Sequence, residues 1–198
     1  MAYIIAGLGN PGQEYDGTRH NTGRIVLDHI RQEWSKGEFE LDKKLGALTA
    51  EAKVGKEKVL LVAPETFMNR SGKALAPLIK SAKAAERLIV IYDDFSLPLG
   101  RIRVSYNRSS GGHNGLESII KALKTEAFVR IRIGTAAATA KGSAKLMHGD
   151  DKIEKFILGP FKPDELKALK KISAAAAEAA RLVITESREK AMSIANAS

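Results

Sequence analysis

The sequence predicts an α/β protein: a single domain in which helices pack around a twisted mixed sheet of parallel and antiparallel strands. Three observations favour this fold class. Short apolar, β-branched segments alternate along the chain with segments of helical periodicity. One pair of predicted strands is joined by a tight turn and must therefore be antiparallel. The 198 residues, 44% of them hydrophobic, suffice for one domain with a core of ordinary size.

The N-terminal segment predicts a strand, then a polar stretch, then a helix. Tyr3–Leu8 is a short apolar run typical of a buried strand. Residues 9–21 are polar and contain no helical pattern. Apolar residues recur at helical spacing only from about Thr22 and continue to Trp34, so the first helix is expected there.

The following segment predicts a hairpin and a second helix. Ala47–Val54 and Val59–Ala63 are strand-like and flank a Gly-Lys-Glu-Lys turn, which is typical of an antiparallel pair. Ser71 is a candidate N-terminal residue for a helix that runs to about Lys83.

The remaining elements continue the alternation. Leu88–Tyr92 predicts a second buried strand, and Arg101–Tyr106 alternates charged and apolar residues like a half-exposed strand. Gly115–Leu123 has helical spacing, and Val129–Gly134 predicts another strand. A long C-terminal helix is expected from about Pro163, since proline suits the first turn of a helix.

The formal charge of +9 is concentrated in one quarter of the chain. Residues 96–149 contain nine Lys or Arg residues against two Glu residues. This surplus favours a polyanionic partner, most simply nucleic-acid phosphate, although a solvated surface rich in lysine would have the same composition. Residues 135–150 are small and basic, and we interpret them as a flexible flap; a loop without a role would have the same composition.

The composition excludes several classes of function. The absence of cysteine excludes disulfides, thiolate nucleophiles and thiolate metal sites. No apolar run approaches the roughly 18 residues of a membrane span, so we expect a cytoplasmic protein without a membrane partner. The four histidines lack metal-ligand spacing, and no metal site is predicted.

Gly7, Gly9 and Gly12 form the pattern G-x-G-x-x-G directly after the first predicted strand. A dinucleotide site requires a helix that begins at those glycines, because its N-terminal amides bind the pyrophosphate. Here the helix is expected about ten residues later, and the next strands form a hairpin rather than a parallel pair. We therefore expect no cofactor, and interpret the glycines as a tight turn that brings Asn10 into a pocket.

Several polar residues follow predicted strands or precede helices, where loops leave the sheet. They are Asn10, His20, Asn69, Asp93, His113 and Asn114. An isolated Asn is usually a turn residue or a helix cap, and an isolated His usually lies on the surface. The Asp93-Asp94 pair alone would fit a solvated loop or a metal site.

Together these residues supply the groups needed for one kind of hydrolysis. A neutral imidazole can act as general base, a carboxylate can fix its tautomer, and carboxamides can donate to an oxyanion. The chain has neither a cysteine nor a G-x-S-x-G nucleophile elbow. The combination predicts a hydrolase in which water itself attacks.

Six motifs resemble, in order and spacing, those of the bacterial-type peptidyl-tRNA hydrolases: GLGNPGQEY, TRHNTG, TFMNRSG, DDFSLPLGRI, SSGGHNGL and RIRIG. The resemblance covers residues 3–134 strongly, and FILGPF with the C-terminal helix more loosely. It implies a monomeric α/β enzyme without a cofactor. Such an enzyme cleaves the ester between a peptide, or an N-blocked aminoacyl group, and the 3′ end of tRNA, which recycles tRNA from stalled translation.

The resemblance also implies roles for individual residues. His20 would be the general base, Asp93 would hold it in its basic form, and Asn10 would distinguish blocked from free aminoacyl ends. The cleft for the peptide and the terminal adenosine of the acceptor arm would be lined by Tyr15, Phe67, Asn69 and Asn114, with Met68 and His113 as neighbours. Arg103 and Arg132 match basic positions near the phosphate-binding patch of the family.

The chain departs from the family pattern at Ala63, where a lysine is frequent, and at Ser96, where an acid is usual. Residues 106–110 and the segment that begins at Thr135 also differ. These departures concern tRNA docking rather than the reaction. Two alternatives are a non-catalytic RNA-binding relative, which would keep the basic face, and an esterase for small substrates, in which the basic segment would be incidental.

Overall fold

Seven strands and seven α-helices make up the described part of the chain, residues 2–145 and 147–197 of a computed structural model. The strands are β1 (Tyr3–Gly7), β2 (Glu40–Asp42), β3 (Ala47–Val54), β4 (Glu57–Pro64), β5 (Leu88–Pro98), β6 (Ile102–Tyr106) and β7 (Val129–Ala136). The helices are α1 (Thr22–Trp34), α2 (Ser71–Leu75), α3 (Ala82–Ala85), α4 (Asn114–Leu123), α5 (Asp150–Ile157), α6 (Pro163–Thr185) and α7 (Arg188–Ala197).

The strands form one mixed sheet in the order β2-β3-β4-β1-β5-β7-β6. The four central strands β4, β1, β5 and β7 are parallel, and the outer pairs β2–β3, β3–β4 and β6–β7 are antiparallel. The predicted fold class is confirmed, and so is the hairpin of β3 and β4. Because the central strands are parallel, their C-terminal ends lie along one edge of the sheet.

Helices cover both faces of the sheet, so each face has its own apolar core. On one face, α1, α6 and α7 pack over the buried side chains of Ile5, Ile89 and Ile91. On the other face, α2, α3 and α4 pack over Val62 and Val90. This burial on both faces explains why the central strands are continuous apolar runs rather than alternating ones.

Two glycines bring the start of α1 against the ends of the central strands. A Cβ atom on Gly23 would lie 2.3 Å from the carbonyl oxygen of Ile91 and 2.4 Å from the amide nitrogen of Leu8. A Cβ atom on Gly7 would lie 2.4 Å from the carbonyl oxygen of Gly23. Any side chain at either position would separate helix and sheet. The residues that precede α1, His20 among them, are therefore held close to the strand ends.

The predicted helix from Ser71 to Lys83 is wrong. The chain instead forms α2 and α3, with Pro77 between them. Proline has no amide hydrogen to donate to the preceding turn, so the helix ends before it. Leu75 and Ile79 are buried all the same. The apolar spacing thus identified the correct buried residues, but they lie on α2 and in the segment between α2 and α3 rather than on one helix.

The remaining differences concern the ends of elements. β5 continues beyond Tyr92 to Pro98, with an irregular register between Asp94 and Pro98. The C-terminal helix is divided into α6 and α7. β2 and α5 had no counterpart in the prediction, because each is short and mostly exposed. No helix in residues 2–145 and 147–197 has the length and apolar character needed to cross a bilayer.

The predicted basic flap at 135–150 lies between β7 and α5. Its first two residues belong to β7, and its last begins α5. Between them, Ala138 and Ala144 form an isolated antiparallel bridge. The amide of Thr139 donates to the carbonyl oxygen of Ser143 at 2.7 Å, which closes a tight turn.

Candidate active site

The polar residues predicted from the sequence gather where the parallel strands end. Asn10 follows β1, Asn69 lies in a 3₁₀ turn after β4, and Asp93 lies within β5. His20 occupies a second 3₁₀ turn directly before α1, and His113 directly precedes α4. Strand ends of this kind are the usual place for a site in an α/β sheet, because loops from several strands converge there.

One carboxylate oxygen joins two histidines. Oδ1 of Asp93 lies 2.9 Å from Nδ1 of His20 and 3.2 Å from Nε2 of His113. The imidazole rings of the two histidines are 5.1 Å apart between centroids. Asp93 is only 2% exposed and His20 only 6%, so water contributes little to holding this cluster.

The hydrogen bonds around His113 define its tautomer. Its Nδ1 accepts from the amides of Gly115 at 3.2 Å and Leu116 at 3.4 Å, so His113 caps the N-terminus of α4. A nitrogen that accepts cannot carry the proton of a neutral imidazole. The proton is therefore on Nε2, which donates to Asp93. Asn114, which alone could have been a helix cap, is instead the first, exposed residue of α4.

The tautomer of His20 follows from the same carboxylate. An ionised carboxylate only accepts hydrogen bonds, so the proton of a neutral His20 lies on Nδ1, directed at Asp93. Its Nε2 then carries a free lone pair. A buried imidazole held in this way is suited to take a proton from a bound water molecule.

Opposing effects act on the ionisation of Asp93. Burial alone would raise the pKa of this carboxyl, but the charge of His20 and the hydrogen bonds from His113 and His20 outweigh burial and lower its pKa below the ordinary value of 3.8. Asp93 therefore stays ionised. Burial raises the pKa of neighbouring Tyr92 to about 12, so its hydroxyl stays protonated at neutral pH.

Asn10 is fixed by a residue that the sequence analysis missed. Nδ2 of Asn21 donates to the carbonyl oxygen of Asn10 at 2.9 Å, and Oδ1 of Asn21 accepts from the amide of Asn10 at 2.8 Å. The side-chain Oδ1 of Asn10 accepts from the amide of Met68 at 2.8 Å. The carboxamide orientation is thereby set, and Nδ2 of Asn10 has no acceptor among the described residues. Asn21 follows His20 directly in the sequence, and this position next to the candidate base was the one sign that Asn21 belongs to the site.

Aromatic and amide side chains form the rim of the site. Tyr15 and Phe67 meet edge to face, with ring centroids 6.5 Å apart. Phe67 is 55% exposed, an unusual position for a phenyl ring. Asn69 and Asn114 are also exposed, so their carboxamides are open to a ligand. Met68 is buried, and its Sδ would lie 2.5 Å from a Cβ on Gly115, which places this turn against the start of α4.

A cavity of about 210 Å³ adjoins the histidine cluster. Its lining includes Asp93, His113, Arg108, Arg130 and Arg132. Arg130 is 1% exposed and donates to backbone carbonyl oxygens, with no carboxylate partner among the described residues. A buried cation beside a cavity suits an anionic ligand.

Of the two arginines predicted to contact phosphate, Arg132 lines this cavity and Arg103 is its cross-strand neighbour; neither belongs to the histidine cluster. Arg103 on β6 is directly opposite Arg132 on β7, so both side chains project from the same face of the sheet. Arg103 is exposed, whereas Nε of Arg132 donates to Asp94 at 2.6 Å. The departure at Ser96 adds to this arrangement, because its hydroxyl also donates to Asp94, at 2.6 Å.

His20, Asp93 and His113 also form a group that could hold a metal ion, which the histidine spacing in the sequence did not predict. One ligand atom from each lies within 4.8 Å of the others. A metal at Nε2 of His113 would, however, replace the proton that this nitrogen donates while Nδ1 caps α4. The hydrogen bonds therefore favour the proton over the metal.

Comparisons with known proteins agree with one another. The peptidyl-tRNA hydrolase family model matches residues 4–198. The chain is 38% identical over 195 residues to a peptidyl-tRNA hydrolase of Aquifex aeolicus, covering 98% of this chain and 95% of that one. It is 42% identical over 192 residues to one of Thermoanaerobacter sp., covering 96% and 97%. A crystal structure of the Acinetobacter baumannii peptidyl-tRNA hydrolase has a TM-score of 0.86 at 27% identity, covering 99% and 95%.

The lowered pKa of Asp93 gives a prediction about stability in acid. As the pH falls, the unfolded chain takes up a proton on Asp93 before the folded chain does, so the carboxylate's stabilising contribution is complete above about pH 5 and declines below about pH 4. We expect the difference in free energy of unfolding between wild type and Asp93→Asn to shrink as pH falls from about 4 to about 2. Urea unfolding at each pH measures it, and a difference that grows in this range would contradict the assignment.

Proposed function

The chain belongs to the peptidyl-tRNA hydrolase family, and we propose that it cleaves the ester of peptidyl-tRNA by attack of a water molecule that His20 activates. The shared carboxylate oxygen of Asp93 is the observation that carries this mechanism. It leaves Nε2 of His20 as a basic lone pair at the edge of a cleft with exposed carboxamides and aromatic rings. The proposed biological outcome is recycling of tRNA from stalled translation.

The proton balance of the proposed reaction is simple. Nε2 of His20 takes a proton from water while the water oxygen attacks the ester carbonyl carbon. The resulting imidazolium is stabilised by the ionised Asp93, which stays charged throughout. When the tetrahedral intermediate breaks down, the ribose oxygen leaves and takes the proton from His20. Tyr92 cannot replace His20 as the base, because its hydroxyl is protonated at neutral pH.

Carboxamides are proposed to recognise the peptide and the developing oxyanion. Asn10, Asn69 and Asn114 each offer N–H donors without a charge, so they can bind the backbone of any peptide. Because hydrogen bonds hold Asn10 in one orientation, its Nδ2 is suited to bind a peptide group that lies at a fixed distance from the ester. A free aminoacyl end would instead bring an ammonium group, which the N–H of a carboxamide repels.

The exposed ring of Phe67 and its partner Tyr15 are proposed to stack on an unpaired base at the 3′ end of tRNA. Base stacking on an aromatic side chain needs an accessible face and tolerates any base. The basic pair Arg103 and Arg132 is proposed to contact backbone phosphates next to the cleft. An esterase for small substrates would need neither feature, and a non-catalytic RNA-binding protein would not need His20.

His20→Ala should reduce kcat for peptidyl-tRNA by roughly 10²–10⁴-fold with little change in tRNA affinity, because it removes the proposed base and no phosphate contact. Single-turnover hydrolysis and a separate binding titration measure the two effects. His29→Gln is the matched control, since His29 is a half-buried histidine within α1 whose Nε2 lies 3.1 Å from a carboxylate oxygen of Glu33, away from Asp93. Near-normal turnover of His20→Ala would remove His20 from this role.

Asn10→Asp should reduce the preference for N-blocked over free aminoacyl-tRNA by roughly tenfold. The variant keeps the oxygen that accepts from Met68 but replaces the N–H donor with a carboxylate, which attracts an ammonium group. The ratio of kcat/KM for the two substrates measures the change and serves as its own control. An unaltered ratio would show that selection occurs elsewhere.

Arg103→Gln and Arg132→Gln should each raise KM for peptidyl-tRNA. Each should also make the slope of log kcat/KM against log salt concentration less steep by about one unit, the amount expected for one lost phosphate contact. Asp94→Asn should act in the opposite direction, because it releases Arg132 from its ion pair. Arg181→Gln, on the exposed side of α6, is the control. If a steep salt dependence were absent in the wild type, or if no variant altered it, the RNA face would lie elsewhere.

A further inference from the structure

We propose that Arg19 is a positioning residue for His20, and that it fixes the 3₁₀ turn Arg19–Asn21 to residues 156–165, the segment from the end of α5 to the first turn of α6. The inference rests on the proposed function of His20 as the base. It adds a requirement to that function: the imidazole can bridge Asp93 and a water molecule only while residues 156–165 hold the turn in place.

The Arg19 guanidinium makes three hydrogen bonds, all to that distant segment. Nη1 donates to the carbonyl oxygens of Gly159 at 3.2 Å and Pro160 at 2.9 Å, and Nη2 donates to a carboxylate oxygen of Glu165 at 2.8 Å. The same oxygen of Glu165 accepts from the amide of Lys162 at 2.7 Å, at the start of α6. The planar group is thus fixed in direction as well as in position.

Two aromatic rings lie against the same guanidinium. Its central carbon lies 4.4 Å from the centroid of Phe156, in α5, and 5.2 Å from that of Phe161. Only 9% of the Arg19 side chain is exposed. Cation–π contacts gain strength in such a desolvated position. A lysine could retain the ion pair with Glu165 but has no planar guanidinium to stack on the two rings while it donates to both carbonyl oxygens.

The backbone reinforces this connection. The amide of Arg19 donates to the carbonyl oxygen of Gly159 at 3.1 Å, and the amide of Phe161 donates to that of Gly17 at 2.9 Å. Thr18 and Pro160 form an isolated antiparallel bridge between these two bonds. Residues 17–19 are therefore paired with 159–161 up to the position immediately before His20.

Three consecutive side chains of the turn are anchored in three different places. Arg19 is bound to residues 156–165, His20 to Asp93 in β5, and Asn21 to the backbone of Asn10. Loosening the Arg19 side chain leaves the backbone pairing of residues 17–19 in place but widens the range of positions open to the His20 imidazole. A displacement of about 1 Å at a catalytic group can cost much of the rate, which makes Arg19 important for turnover although it touches no reacting atom.

Two variants test the inference. Arg19→Lys keeps the charge but loses the stacking and the shared carbonyl contacts, and Phe156→Leu removes one ring while leaving every hydrogen bond of Arg19 in place. Each should lower kcat by about 10-fold while KM changes by less than about twofold. In NMR spectra, the proton on Nδ1 of His20, protected by Asp93 in the wild type, should exchange faster with water.

Arg87→Lys is the matched control. Arg87 lies 4.4 Å above the ring of Tyr3 and pairs with Glu57 at 3.1 Å, so this variant loses the same type of contact away from the site. We expect it to leave kcat and the exchange of the His20 proton unchanged. The inference is overturned if Phe156→Leu and Arg19→Lys match this control in kcat and proton exchange. His20→Ala, assayed in parallel, distinguishes failure of the Arg19 role from failure of the proposed mechanism. If His20→Ala retains turnover, the proposed mechanism itself is wrong.

Discussion

A single carboxylate oxygen, Oδ1 of Asp93, determines the arrangement of the site. Because it accepts a hydrogen bond from both His20 and His113, it determines the tautomer of each neutral imidazole. His113 must keep Nδ1 as an acceptor, which is then used to cap α4, and a neutral His20 must expose Nε2 as a base. The ionised Asp93 carboxylate therefore supports both the capping of α4 by His113 and the tautomer of His20 that exposes Nε2. Removing either histidine would leave a buried charge with one partner fewer.

The fold can place these groups together because parallel strands end at one edge and α1 starts unusually close to them. The second condition depends on Gly7 and Gly23, whose missing side chains let helix and sheet backbones meet. The pattern Gly7, Gly9 and Gly12 thus contributes to helix packing and a turn, whereas α1 itself begins only at Thr22. The same glycines resemble a dinucleotide motif because both arrangements need close backbone approach at the end of a strand.

Sequence patterns predicted the elements whose signals are local. All strands except β2, the β3–β4 hairpin and α1 follow from periodicity, and the strand-end positions of Asn10 and Asp93 followed from them. The helix break at Pro77 was overlooked because the buried positions around it still had helical spacing. Contacts between distant segments had no local signal: Arg19 meets Glu165 across 146 residues of sequence, and His113 caps α4 while it also binds Asp93. An Arg beside a candidate base is indistinguishable in sequence from a surface cation.

The adjacent acids Asp93 and Asp94 illustrate how one strand can serve two purposes. Successive residues of a strand project to opposite faces of the sheet, and here Ile91 packs in the core beneath α1 whereas Tyr92 packs in the other core. The alternation continues, so Asp93 meets His20 in front of α1 and Asp94 meets Arg132 on the opposite side. Neutralising one pair leaves the other in place. The proposed hydrolysis and the proposed phosphate contact can therefore change independently, although the two carboxylates are neighbours in the chain.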